Sequence, residues 1–201
     1  MKEAFTIWFT GIARTGKSTI GAALGKALQS RRLTVEILDS GRIRKQINRS
    51  QGFTRREIVA NTLRLGYECR MLNRNGVIAI VVAVSPYRDV RDTTRDQVEN
   101  FVEVYCRCPM EILVKRDTTD LFRRAQDGEV EHVAGVNAPY EEPEKPEVLL
   151  DTDRSSVEEC VSQVVTTLEL LGMIDRVEPS AYTPQEEEMI RRRLTDLGYL
   201  E

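Results

Sequence analysis

FTIWFTGIARTGKSTIGAALGKAL spans residues 5–28, and its reading decides the fold. The run 5–10 is apolar and β-branched and predicts a strand. From Lys17 the pattern turns helical and predicts a helix over 17–31. The turn between them, Gly11-x4-Gly16-Lys17-Ser18, fits the Walker A phosphate-binding pattern. Glycines at this spacing let the backbone curl so that successive N–H groups face phosphate oxygens. Lys17 reaches the outer phosphates, the Ser18 hydroxyl can ligate Mg²⁺, and the helix adds its positive end. Gly11, Arg14, Thr15, Gly16, Lys17, Ser18 and Thr19 are therefore candidate ATP contacts, with Ser18 the metal ligand. Arg14 either adds a phosphate contact or points to solvent.

Outward from this turn, further apolar runs lie at 33–38, 77–84, 101–106 and 147–150. They alternate with helical stretches at about 54–74, 87–98 and 155–171. The alternation predicts an α/β fold, a parallel sheet with helices on both faces. Residues 115–146, rich in charge, Gly and Pro, break the rhythm and read as a mobile lid. The expected domain is 1–174, followed by a connector and C-terminal helix over 175–201. That helix opens on the capping box Thr183-Pro184-Gln185-Glu186 and stops near Gly198. Ile190, Leu194 and Leu197 share one face, which either packs back on the domain or docks a partner.

Several classes are excluded by bulk properties. The formal charge is −3 and the pI about 5.5, so no global basic field points to nucleic acid. No apolar run approaches the roughly 20 residues that span a bilayer, and the N-terminus carries no signal-peptide pattern. Cys106 and Cys108 match neither a redox pair nor a zinc knuckle. The expectation is a cytoplasmic protein with reduced cysteines and no membrane contact. The lone His132 supports neither a metal site nor a triad.

In a doubly wound sheet the loops at strand C-termini form the site. Ser85, Pro86, Tyr87 and Arg88 follow the run 77–84 and are acceptor-site candidates with Arg91; a purely structural helix start is the other reading. Arg116 heads the lid, where arginines of such kinases close over the transferring phosphate. Arg123 and Arg124 either touch phosphate or pair on the surface.

SPYRDVRD (85–92), NFVEVYCRCPMEILVKRD (100–117) and APYEEPEKPEVLLDT (138–152), with GFT (52–54) and LFRRAQDGEV (121–130), resemble the adenylylsulfate (APS) kinase family over about residues 5–170. The resemblance implies a P-loop kinase fold that uses MgATP, is commonly dimeric, and phosphorylates the 3′-hydroxyl of adenylyl sulfate. It places Asp39, Arg44, Phe53 and Asn61 on the acceptor side. Phe53 would stack on a base, and Arg116 would alternatively line the ATP base. The family pattern Asp-Gly-Asp-Asn-x-Arg here reads Asp39-Ser40-Gly41-Arg42-Ile43-Arg44, so the second carboxylate falls on Gly41. A family Arg position holds Ile58, a Lys position Thr119, and Phe-Thr-Gly becomes Val133-Ala134-Gly135. Each lost charged hydrogen bond is worth about 1.5–3 kcal/mol. Arg42, a further acceptor-side candidate, and Arg55 and Arg56 are cations nearby in sequence that would compensate; a solvated helix face is the other reading for Arg55 and Arg56.

The expectation is an ATP-dependent kinase with Lys17, Asp39 and Arg116 as catalytic groups. A kinase for a different hydroxyl acceptor and a nucleotide-binding partner protein without activity are the alternatives.

Overall fold

The computed structural model describes residues 3–47, 54–176 and 183–200, with the side chains of 44–47 and 184 outside the description. In chain order the elements are β1 (Thr6–Thr10), α1 (Lys17–Ser30), β2 (Val35–Asp39), α2 (Ser40–Ile47), α3 (Arg55–Arg74) and β3 (Ile78–Val82). There follow α4 (Arg88–Gln97), β4 (Phe101–Arg107), α5 (Met110–Arg116), α6 (Leu121–Gln126), β5 (Val148–Asp151), α7 (Val157–Leu170) and α8 (Pro184–Asp196).

The five strands form one parallel sheet in the order β2-β3-β1-β4-β5. The central strand β1 shows why both faces are covered. Strand side chains alternate, so Phe5, Ile7 and Phe9 enter one core with Ile20, Leu24 and Leu28 of α1 and Val164 and Leu168 of α7. Trp8 points the other way, among Leu65 and Cys69 of α3, Val98 and Phe101. Both cores are fully apolar at their centres, which is the burial that holds a doubly wound sheet. All four cysteines are free and buried within the packed structure. Among the described residues no helix is long and apolar enough to cross a membrane.

All five expected strands and the long helices are present. Three short helices were not anticipated. At α2, Asp39 Oδ1 accepts the N–H groups of Gly41 and Arg42 at 2.9 and 3.1 Å, which caps the first turn without an apolar signal. Helices α5 and α6 are seven and six residues long, too short for a helical period to register. The segment expected as a lid carries α6 and then a loop to β5. Phe122, Ala125 and Val133 pack there with Leu113 and with Ile12 of the phosphate loop. Asn137 ties the loop together, donating to the carbonyls of Ala125 and Val130 and accepting from Val133 N–H.

The tail helix packs on its own domain. Thr183 and Glu186 form the expected capping box, Leu194 is fully buried, and Gly198 ends the helix with φ 81°.

Candidate active site

The turn between β1 and α1 is built by residues that accept unusual backbone angles. Gly11 has φ 140°, and a Cβ there would lie 2.4 Å from the Cys106 carbonyl oxygen of the neighbouring strand. No side chain caps α1; its N-cap is Gly16, with φ 88°. The first-turn N–H groups of a helix have no intrahelical acceptor, so this end is suited to an anion.

Lys17 is folded into the loop at 7% exposure. Its Nζ donates to the Gly11 and Ile12 carbonyls at 2.7 Å each and to Thr15 Oγ1 at 3.2 Å. Burial lowers its pKa to about 8, against the opposing pull of Cys106 and Asp39. Ser18 and Thr19 are exposed at the mouth. Asp39 ends β2, half-buried and close enough to act on Lys17.

Arg14 turns towards the lid. With φ 66° it reaches over to the lid, where Nη2 donates to Thr119 Oγ1 at 2.6 Å and pairs with Asp117 Oδ1 at 3.2 Å. Asp117 also accepts from Thr119 and from Phe122 N–H. Burial would raise its pKa, but the Phe122 and Thr119 N–H groups, the Thr119 hydroxyl and Arg14 together hold it below the usual carboxylate range.

A pocket of about 920 Å³, including its solvent-filled mouth, opens beside the loop. Ala13 of the phosphate loop, Ser40, Ile58, Asn61, Ser85 and Pro86 form one side. Leu121, Val130, His132, Val133 and Ala134 of the lid form the other. Its surface is mainly apolar; among the described residues Glu57 is the one carboxylate lining it, and no Lys or Arg lines it. Asn61 Nδ2 donates to Ser40 Oγ at 3.5 Å. The Ser85 hydroxyl accepts from Trp8 Nε1 at 3.1 Å, and its carbonyl from Arg91 at 2.6 Å.

Other sequence candidates are placed elsewhere. Tyr87 is buried beneath the Arg55 guanidinium, 4.8 Å from its ring centre. Arg88 pairs with Glu144 and donates to the Glu142 carbonyl, in a separate polar recess between α4 and the 141–147 segment. Arg42 is exposed on the first turn of α2. Arg116 donates to the Thr152 carbonyl at 2.7 Å beyond β5. Arg123 pairs with Asp120 and Asp127, and Arg124 with Glu129, all at the surface. Phe53 and the Arg44 side chain lie outside the described residues.

Val133 and Ala134, singled out in the sequence through the family resemblance, do line the pocket. Sequence reasoning did not find Glu57, Leu121, Val130 or His132 as pocket walls; His132 was read solely for metal and triad chemistry. Among the described residues no cluster of His, Cys, Asp or Glu could hold a metal by itself. The Ser18 hydroxyl with Asp39 offers hard oxygen donors. That suits Mg²⁺, which takes few protein ligands and completes its shell from phosphate and water.

Comparison with known proteins gives a consistent result. The family model described as adenylylsulphate kinase matches residues 3–151. The adenylyl-sulfate kinase of Synechococcus sp. (strain JA-3-3Ab) is 38% identical over 173 residues, covering 86% of this chain and 98% of that one. A probable bifunctional SAT/APS kinase of Sorangium cellulosum is 38% identical over 87% of this chain, which spans only 30% of that longer protein. Among solved structures, the Mycobacterium tuberculosis APS kinase CysC in complex with AMPPNP and APS superposes with a TM-score of 0.78 at 30% identity. That match covers 84% of this chain and 99% of the other.

Proposed function

The chain belongs to the adenylylsulphate kinase family, and from that membership we propose that it transfers the γ-phosphoryl group of ATP to the 3′-hydroxyl of adenylyl sulfate. The products are ADP and 3′-phosphoadenylyl sulfate. The observation that carries this reading is the shared wall: Ala13 belongs both to the phosphate loop and to the pocket. A hydroxyl held in the pocket is thereby brought to the end of a triphosphate held by the loop.

The protein's part is positioning and charge stabilisation, which dominate phosphoryl transfer. Lys17 exchanges its bonds to Gly11 and Ile12 for phosphate oxygens. We assign Asp39 to receive the acceptor's hydroxyl proton as the new O–P bond forms and the bond to the ADP oxygen breaks. The Ser18 hydroxyl would hold Mg²⁺, which would supply neutralising charge on the phosphates. Arg14, already tied to Asp117 and Thr119, links the loop to the lid, and lid closure excludes water. We place the reaction in the cytoplasm, a reading supported by four buried free thiols. We also carry a homodimer in the proposal: Tyr67 and Met71, one turn apart on α3, are 59% and 44% exposed. Sedimentation at micromolar concentration checks it; a monomer there removes it.

Lys17 makes ATP binding pH-dependent. Its lowered pKa of about 8 means that the free protein loses this charge as pH rises through that value, whereas a bound triphosphate holds the proton on. Affinity should therefore fall above pH 8, and binding at pH 8 should take up about half a proton. Calorimetry in buffers of different ionisation enthalpy measures the uptake; none at pH 8 contradicts the assignment.

One observation favours a second reading. The described residues lining the pocket include Glu57 and no Lys or Arg, a lining that suits a hydroxyl acceptor carrying less charge than adenylyl sulfate. A coupled assay of ADP release separates the two. Saturable dependence on adenylyl sulfate supports the first reading. A flat response to it, with release driven by an uncharged polyol, sugar or nucleoside, supports the second. Silence towards every acceptor despite MgATP binding would leave a nucleotide-binding partner protein.

A further inference from the structure

Residues 175–200 lie beyond the 3–151 span matched by the family model, and the site described above gives them no task. Among the described ones, Arg193 and Tyr199 converge on the root of the lid. The Tyr199 hydroxyl donates to Glu147 Oε1 at 2.5 Å. Arg95 of α4 donates to both oxygens of the same carboxylate, at 2.7 and 3.0 Å. Glu147 Oε2 also accepts the Glu103 N–H at 2.6 Å. One residue earlier, Arg193 of α8 donates twice to the Pro146 carbonyl, at 2.7 and 3.2 Å. Leu194 beside it is fully buried and fixes the helix in place.

From Glu147 the contacts run on to the pocket. Arg95 reaches Glu103 Oε2 at 3.4 Å, and Glu103 Oε1 accepts from Arg91 Nε at 2.8 Å. Arg91 gives its two remaining nitrogens to the carbonyls of Ser85, at 2.6 Å, and Glu141, at 2.8 Å. Glu141 in turn donates its N–H to the Pro86 carbonyl and accepts from Arg88 N–H. Ser85 and Pro86 are walls of the pocket. The Arg91–Glu103 pair is almost wholly buried, with side chains 2% and 7% exposed. Buried charges tolerate little displacement, because a partner left unpaired there is costly. The segment 141–147 is thus pinned at its start by the pocket wall and at its end by the tail.

We propose that α8 and Tyr199 form a clasp that fixes the 141–147 segment and, through Glu147, Arg95, Glu103 and Arg91, sets the position of Ser85 and Pro86 at the acceptor end of the pocket. Tyr199 and Arg193 are positioning residues, remote from the nucleotide loop. The kinetic consequence rests on the phosphotransferase reading given above; the structural consequence does not.

The test uses full-length Tyr199→Phe and Arg193→Met, with Met189→Ala, at a residue 72% exposed, as control. Amide hydrogen exchange without ligands should speed up by about tenfold at 85–88 and 141–147 in both variants, and stay unchanged at 6–20 and in the control. In turnover with adenylyl sulfate, the acceptor KM should rise by about five- to tenfold while the ATP KM stays within about twofold. Unchanged exchange at both segments overturns the proposal. So does uniform acceleration across the sheet, the mark of a merely structural tail. If the unaltered protein does not turn over adenylyl sulfate, the acceptor assignment fails and the exchange pattern still decides the clasp.

Discussion

Lys17→Ala is expected to weaken MgATP binding by at least about a hundredfold and to lower kcat by about three orders of magnitude, with the fold intact. The lysine is the buried cation of the loop, and its donors face two carbonyls that a bound triphosphate replaces. Two charged hydrogen bonds at about 1.5–3 kcal/mol each set the scale of the binding loss. The larger loss in rate follows because charge on the transferring group grows towards the transition state, where a fixed cation acts most strongly. Folding should be nearly indifferent. The substitution leaves the Gly11 and Ile12 carbonyls without a donor, but it also relieves a desolvated ammonium whose pKa burial has pulled to about 8. Calorimetry and a thermal melt measure both sides. Unaltered affinity with an unaltered melt would remove the loop from the mechanism.

The second large effect is a gain. Ile58→Arg combined with Gly41→Asp is expected to raise kcat/KM for adenylyl sulfate by about 10³-fold or more. Ile58 lies on the pocket wall, so an arginine there has open space and meets an anionic acceptor. One charged hydrogen bond gives about 10- to 150-fold. A Cβ on Gly41 would lie 3.3 Å from Asp39 Oδ1, a contact that a small shift of the carboxylate relieves. The new carboxylate, on the first turn of α2, would take over from Asp39 as general base, and a well-placed base is worth about 10²–10⁴-fold. The single variants should separate the effects: the arginine in the acceptor KM, the aspartate in kcat. If both folded variants match the parent, the acceptor's charge is read by other residues.

Much of this architecture was legible in the sequence because its periods are long. Strand β1 alternates between two cores through Ile7, Phe9 and Trp8, and α1, α3 and α7 each run for several turns. Helices α2, α5 and α6 were hidden because one or two turns cannot display a period. The phosphate loop was legible because its chemistry is local, seven or eight consecutive residues whose backbone angles are set by Gly11 and Gly16.

The pocket was only partly legible because it is assembled from distant segments: Ala13, Ile58, Ser85 and Val133 meet only in the folded chain. Side-chain direction was hidden for the same reason. Arg88 turns to Glu144, 56 residues away, and Arg14 to Thr119, 105 residues away. Composition could mark these arginines as candidates but could not say which carboxylate or hydroxyl would claim each. The tail shows the same limit. Its capping box and apolar face were visible, while its partners Pro146 and Glu147 were not.

The most direct test of the central claim follows the phosphoryl group itself. With ATP labelled on the γ-phosphate, Mg²⁺ and saturating adenylyl sulfate, the account predicts label in 3′-phosphoadenylyl sulfate, one labelled product for each ADP. Label remaining on ATP, or appearing only as inorganic phosphate while MgATP binds normally, would contradict it.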